Sequence, residues 1–165
     1  MHYFELIGMK VVLIWVGKTT EPWLQQGINE YAQRLKHYIS FEIKELPVLK
    51  NAKSLEFEQI KQKEGEMILA SVLPGDYLVL LDEKGKQPSS REFARFFETH
   101  MNASVKRLVF VIGGAYGFSN DVYQAAQSQV SLSRLTFSHQ MVRVIFVEQV
   151  YRAMTILKGE PYHHD

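Results

Sequence analysis

Three glycines fall within five residues at Gly113-Gly114-Ala115-Tyr116-Gly117, directly after the strand-like run 107–112. Glycines at the end of a buried strand let backbone amides approach a ligand closely or adopt positive φ. The Gly-Gly-x-x-Gly spacing is not the dinucleotide fingerprint, and no P-loop lysine follows it. An ordinary tight turn accounts for such a segment as readily as a binding loop does. Asp82 ends another apolar run, 77–81, and its carboxylate could accept hydrogen bonds from hydroxyl or amino groups of a ligand. A solvated turn carboxylate is the commoner role for such a residue. The third candidate is Ser131 to His139, whose residues 131–138 alternate small hydroxyl and apolar types. Its hydroxyls and amides could surround a polar ligand. A plain strand leading into a helix cap at Ser138 reads the same residues without one.

The C-terminal third concentrates positive charge. Between Ser131 and Lys158 stand Arg134, Arg143, Arg152 and Lys158 against the single carboxylate of Glu148. Such a local surface could bind RNA phosphates, with Arg143 and Arg152 as the candidates. Glu148 and Arg152 are also spaced to pair with each other along a helix. The tail Tyr162-His163-His164-Asp165 brings two histidines beside a carboxylate, but a chain terminus seldom preorganises metal ligands, and no metal site is expected.

These candidates need elements to position them. The run from Lys10 to Val16, bounded by Gly17, reads as a strand buried on both faces. A helix follows, with Thr20 as cap, Pro22 in the first turn, and Leu24, Ile28, Tyr31, Ala32 and Leu35 at helical spacing. A weaker strand spans 41–46, and Ser54 caps a helix running to about Val72, whose middle is weakened by Gly65. Strand 77–81 ends at Asp82. The capping box Ser89…Glu92 opens a helix with Phe93, Phe96, Phe97 and Met101 on one face. Strand 107–112 leads to a short helix capped by Ser119, then to an extended stretch 130–135. A last helix runs from near His139 to Lys158. Five strands alternating with five helices predict one α/β domain around a mainly parallel sheet, preceded by a short extension over 1–8. The last helix is apolar around nearly its whole circumference; a second subunit is the economical cover for its outer side, and a fully central helix within one subunit is the alternative.

The chain has 165 residues, 46% hydrophobic and 22% charged, with a net charge of +1 and no cysteine. That composition excludes intrinsic disorder, disulfides and thiol chemistry, and gives no global electrostatic argument for nucleic acid. The longest apolar run, 11–16, is far too short to cross a bilayer, so no membrane partner and a cytoplasmic location are expected.

Taken together, Val-Ile-Gly-Gly-x-x-Gly at 111–117, Ser-Leu-Ser-x-Leu-Thr-Phe-Ser-His-Gln-Met-Val-Arg at 131–143, Glu-Gln-x-Tyr-Arg-Ala at 148–153 and Pro-Tyr-His-His at 161–164 closely resemble the RlmH family. Val-Gly-Lys at 16–18 and Leu-Asp-x-x-Gly-Lys at 81–86 match as well, so the resemblance covers the chain from Met9 onward. It implies a SPOUT-class fold with a C-terminal trefoil knot, a homodimer, and S-adenosylmethionine-dependent methylation of N3 of a pseudouridine in bacterial 23S rRNA on the ribosome. Carried over by motif position, the cofactor contacts would be Leu81, Asp82, Gly113, Gly114, Ser133, Arg134, Leu135, Thr136, Phe137 and Ser138. The substrate side would fall to Tyr162, His163 and His164. Two positions depart from the family pattern: Ala115 stands where proline is common, and His164 where arginine is common. The first leaves the loop less rigid; the second replaces a permanent cation with a titratable one. The competing readings are a ribosome-binding factor that keeps the fold without catalysis, and a small nucleotide-binding domain acting on a metabolite.

Overall fold

The structure, a computed structural model, describes residues 8–165, so the expected extension lies, apart from Gly8, outside the described residues. In chain order the elements are β1 (Lys10–Val16), α1 (Pro22–Leu35), β2 (Ser40–Leu46), a 3-10 turn (Ala52–Ser54), α2 (Phe57–Ala70), β3 (Tyr77–Lys86), α3 (Ser90–Asn102), β4 (Arg107–Ile112), α4 (Asn120–Ala125), β5 (Ser128–Val130) and α5 (Met141–Lys158). All strand pairings are parallel, in the order β2-β1-β4-β3-β5.

Side-chain alternation in the central strands builds two cores. Val11, Leu13, Leu108, Phe110 and Val79 face one side, packed on Ile28 of α1, Phe93 and Phe97 of α3, and Phe146 and Val150 of α5. Val12, Ile14, Val109, Val111, Leu78 and Leu80 face the other, against Ile68 of α2 and Val122 of α4. Helices therefore cover both faces, as a near-continuous apolar strand requires. The connection leaving β3 returns through α3 on the first face, whereas the one leaving β4 passes through α4 on the second. Connections that part to opposite faces open a crevice beyond the carboxyl ends of the strands.

Several local expectations are corrected. Helix α1 begins at Pro22 after Glu21, not at a Thr20 cap, because the Thr20 amide donates to Gln140 Oε1 at 3.0 Å. Ser54 closes the 3-10 turn, and α2 starts at Phe57, where Gln59 Oε1 accepts from the Glu56 amide at 2.9 Å. Gly65 does not weaken α2: a Cβ there would lie 2.5 Å from Ser119 Oγ, so the glycine lets α4 approach. Strand β3 does not stop at Asp82. It loops outward and returns, so that Val130 pairs with both Leu81 and Lys86. A Cβ on Gly85 would sit 2.6 Å from the Val130 amide nitrogen, which explains the glycine at that crossing. The stretch after Val130 is not a strand but irregular backbone up to α5.

Helix α5 lies on the sheet between α1 and α3, with Phe146, Val147, Val150, Ala153 and Met154 fully buried within one chain, while Val142, Val144, Ile145, Tyr151 and Ile156 are only partly buried. Arg143, one turn from its start, is only 1% exposed. Its guanidinium donates to the carbonyls of Val16 and Gly17 and to Thr19 Oγ1, each at 3.0 Å, and lies 4.7 Å over the Trp15 ring. Burial pushes its pKa down. Arg143 is therefore corrected from an RNA contact to the tie between α5 and the end of β1. Arg143→Met strands those oxygens without donors, which costs about 2–4 kcal/mol. A fall in melting temperature of about 5–15 °C is expected for a chain of this size, measured by calorimetry.

Candidate active site

Beyond the carboxyl ends of β3, β4 and β5 lies a cavity of about 800 Å3, within the range of roughly 300–1,000 Å3 usual for small-molecule sites. Three segments wall it: 81–84 from the outward loop of β3, 112–118 after β4, and 130–139 before α5. Of the ten residues expected on the cofactor side, nine line this cavity: Leu81, Asp82, Gly113, Gly114, Ser133, Leu135, Thr136, Phe137 and Ser138. Arg134 does not; its side chain is exposed outside the lining.

The wall residues are held in shape mainly by one another. Ser131 Oγ donates to the Ser133 carbonyl at 3.0 Å, Ser133 Oγ accepts from the Leu135 amide at 2.9 Å, and Ser138 Oγ accepts from the Met141 amide at 3.1 Å. Those hydroxyls fix the loop, which leaves backbone groups and the faces of Leu132, Leu135 and Phe137 toward the cavity. Asp82 is likewise occupied: it accepts from the Lys84 amide at 2.8 Å and from the phenol of Tyr123. Burial, then the Asp82 contact, pushes the Tyr123 phenol up to about 12, so it stays protonated and donates.

The glycines have specific neighbours. A Cβ on Gly113 would press on the Phe118 ring at 3.1 Å, and one on Gly114 would lie 2.7 Å from the Glu64 carboxylate. Glu64, from α2, is half-buried, and burial raises its pKa. Sequence reasoning missed it, because a Glu in a polar helical run carries no signal of its own. It also passed over the cavity wall residue Tyr123, while Tyr116 and His139 stood inside candidate segments without a role of their own.

The three tail candidates lie elsewhere. Left-handed Gly159 (φ 69°) turns the chain back along α5. Tyr162 then donates to Glu148 at 2.9 Å and stands 3.3 Å from the Tyr31 hydroxyl. Burial, with these two contacts, raises the Tyr162 pKa, so the group is a donor at neutral pH and not a base. His163 sits between Arg152 and Asp165, at 3.2 Å and 3.1 Å, so both ring nitrogens are engaged. Arg152 is itself paired with Glu148 at 2.6 Å, as its helical spacing suggested. Asp165 pairs with Arg91 near the start of α3, which draws the tail toward the carboxyl end of the sheet. His164 is exposed, and among the described residues its side chain makes no hydrogen bond.

Residues 9–163 match the family model described as Predicted SPOUT methyltransferase. The ribosomal RNA large subunit methyltransferase H of Parabacteroides distasonis is 57% identical over 157 residues, covering 95% of this chain and all of the relative. That of Christiangramia forsetii is 54% identical over 156 residues, covering 94% and 99%. The chain belongs to the RlmH family of SPOUT methyltransferases. The fold agrees: a probable methyltransferase from Bordetella pertussis superimposes with a TM-score of 0.54 at 13% identity, over 90% of this chain and 98% of that one.

The cavity suits the family's methyl donor, S-adenosylmethionine. Its size, its glycine backbone approached without side chains and its apolar faces beside polar amides match a nucleoside joined to an amino acid. Gly114→Ala should weaken cofactor binding by about threefold or more in calorimetry, because the new methyl stands where a ligand would approach the backbone and makes the Glu64 carboxylate, 2.7 Å away, swing aside. Glu64→Ala in the same chain should restore part of the loss. The raised Glu64 pKa means that its contribution to stability is fully present below the ordinary carboxylate range and is lost as pH rises through the raised value. Glu64→Gln should therefore melt higher than the parent at pH 7 and lose that advantage near pH 4.

Proposed function

We propose that this protein transfers the methyl group of S-adenosylmethionine to N3 of a pseudouridine in bacterial 23S rRNA, acting as a cytoplasmic homodimer on the assembled ribosome. What carries the reading is the coincidence of near full-length similarity to large-subunit rRNA methyltransferases with a cavity built from the three motif-bearing loops. No helix among the described residues is long and apolar enough to cross a membrane.

When bound, the cofactor supplies an electrophilic methyl carbon on a sulfonium. The work of this chain's own residues is positioning. The backbone of 113–114 and of 133–138 would hold the cofactor, while Leu81, Ile112, Leu132 and Phe137 keep water from its apolar parts. In-line displacement gains chiefly from such fixed orientation. Tyr123 keeps the Asp82 carboxylate in place and so fixes the loop that β3 throws outward. On the substrate side we assign Tyr162, His163 and His164, with Arg152 as the residue that orients His163. Their supporting observation is the Arg91–Asp165 pair, which ties the tail to the start of α3, the helix that follows β3. The homodimer is supported by Leu135, which stands 76% exposed at the cavity edge and needs an apolar cover. A trefoil knot is consistent with the passage of 131–140 from the β5 edge over to β1.

The deciding experiment incubates the protein and labelled cofactor with ribosomes, free subunits or naked rRNA from a strain lacking this methylation. Label should enter 23S rRNA of assembled ribosomes and map to one pseudouridine by mass spectrometry. Ribosome binding without any transfer would favour the non-catalytic factor instead. His164→Ala should leave the melting temperature unchanged, since the ring is exposed, and lower the methylation rate about tenfold or more, as expected for a lost positioning or proton-transfer group. An unaltered rate removes His164 from the substrate side.

A further inference from the structure

Among the described residues few large apolar side chains are exposed, and two of them touch. Phe57, the first residue of α2, is 61% exposed, and Tyr116, in the glycine loop, is 45% exposed. Their rings stack face to face, with centroids 4.1 Å apart and planes 20° from parallel. Tyr116 lines the cavity whereas Phe57 does not, so Phe57 backs the Tyr116 ring from outside. Lys61, one helical turn beyond Phe57, and Lys84, on the β3 loop, also line the cavity. Lys61 is held by Glu58 at 2.7 Å, but that carboxylate is 84% exposed and its grip is correspondingly weak.

We propose that Tyr116, braced by Phe57, is the platform on which an unpaired nucleobase of the RNA substrate stacks at the mouth of the donor cavity. The inference rests on the RNA-methylation reading above and adds to it a residue that engages the acceptor. Proteins that recognise unpaired RNA lay splayed-out bases on aromatic faces, which hold any base by its flat face while hydrogen bonds to the base edges supply the specificity. The acceptor has to reach the cavity mouth for its nitrogen to meet the methyl group, and Tyr116 is an aromatic wall already standing there. Loop residues with rings are costly to hold still. The Phe57 stack fixes this one on the wall of a glycine segment that would otherwise let it swing. Phe57 is thus a positioning residue, and Tyr116 the contact.

The test measures steady-state methylation of ribosomes at saturating cofactor, together with cofactor affinity by calorimetry and assembly by sedimentation. Tyr116→Ala should raise KM for ribosomes by about 5- to 100-fold, the range that follows from losing one stacked base. The kcat should change by less than about threefold, and cofactor affinity by less than about twofold. Tyr116→Phe and Tyr116→Trp should keep KM near that of the parent, because the flat face and not the hydroxyl is used. Phe57→Ala should raise KM by a smaller factor, and Phe57→Trp should rescue it while Phe57→Leu does not. An unchanged KM in folded Tyr116→Ala overturns the proposal. So does a cofactor affinity that falls by the same factor as KM rises, which would give the ring to the donor. A change in sedimentation of Tyr116→Ala overturns it as well, by making the pair a contact between subunits. If the parent protein transfers no label to any RNA, the methylation reading itself fails, and that is seen before any variant is compared.

Discussion

The guanidinium of Arg143 fixes the path of everything around the cavity. Its three bonds fasten the first turn of α5 to the end of β1, while the preceding chain leaves the sheet at β5. Strands β4 and β3 lie between those two points, so residues 131–140 have to pass over the carboxyl ends of both. That forced passage is the outer wall of the cavity. A second tie reinforces it: Gln140 accepts from the Thr20 amide and donates to the Lys18 carbonyl, at 3.0 and 3.1 Å. A buried guanidinium that satisfies main-chain oxygens is a strong constraint, since pulling it away leaves a desolvated charge and orphaned acceptors together.

Within that passage, hydroxyls and backbone divide the labour. Ser131 donates within its own loop, and Ser133 and Ser138 accept from loop amides while keeping their O–H donors, which gives an irregular segment a single shape. Gly85 and Gly65 act at a distance from any ligand: one lets the β3 loop cross Val130, and the other lets α4 and its cap at Ser119 approach α2. Each is a place where missing side-chain volume is the functional property. The cavity is therefore a product of close backbone approach more than of any reactive side chain, which accords with a reaction governed by orientation.

The alternating strands and amphipathic helices were legible because burial imposes the same two periods wherever it occurs. The wall of the cavity was legible at Gly113, Gly114 and 133–138 through the resemblance to the RlmH family, since by themselves these residues read as well as a tight turn and a strand leading into a helix cap. What remained hidden depended on contacts distant in sequence. Arg143 looks like a surface cation until Val16, Gly17 and Trp15 are seen around it. The apolar circumference of α5 suggests a subunit interface; α1 and α3 cover part of it within one chain, and Val144, Ile145 and Tyr151 keep partly exposed surface. Glu64 and Tyr116 gain their settings only from Gly114 and Phe57, more than forty positions away in each case.

The charges bear on how a nearly neutral protein can recognise RNA. Arg34, Arg91, Arg107 and Arg152 are each paired with a carboxylate, and Arg143 is buried. Five arginines are thus committed within the fold, and the net charge of +1 leaves little long-range attraction for phosphates. Affinity built on phosphate contacts would fall steeply with salt, because it comes from released counterions. Stacked faces and the fit to a preformed rRNA surface carry no such dependence. A protein with this charge distribution gains most from an rRNA acceptor already folded into shape, because fit and stacking then replace the long-range attraction that its net charge does not supply.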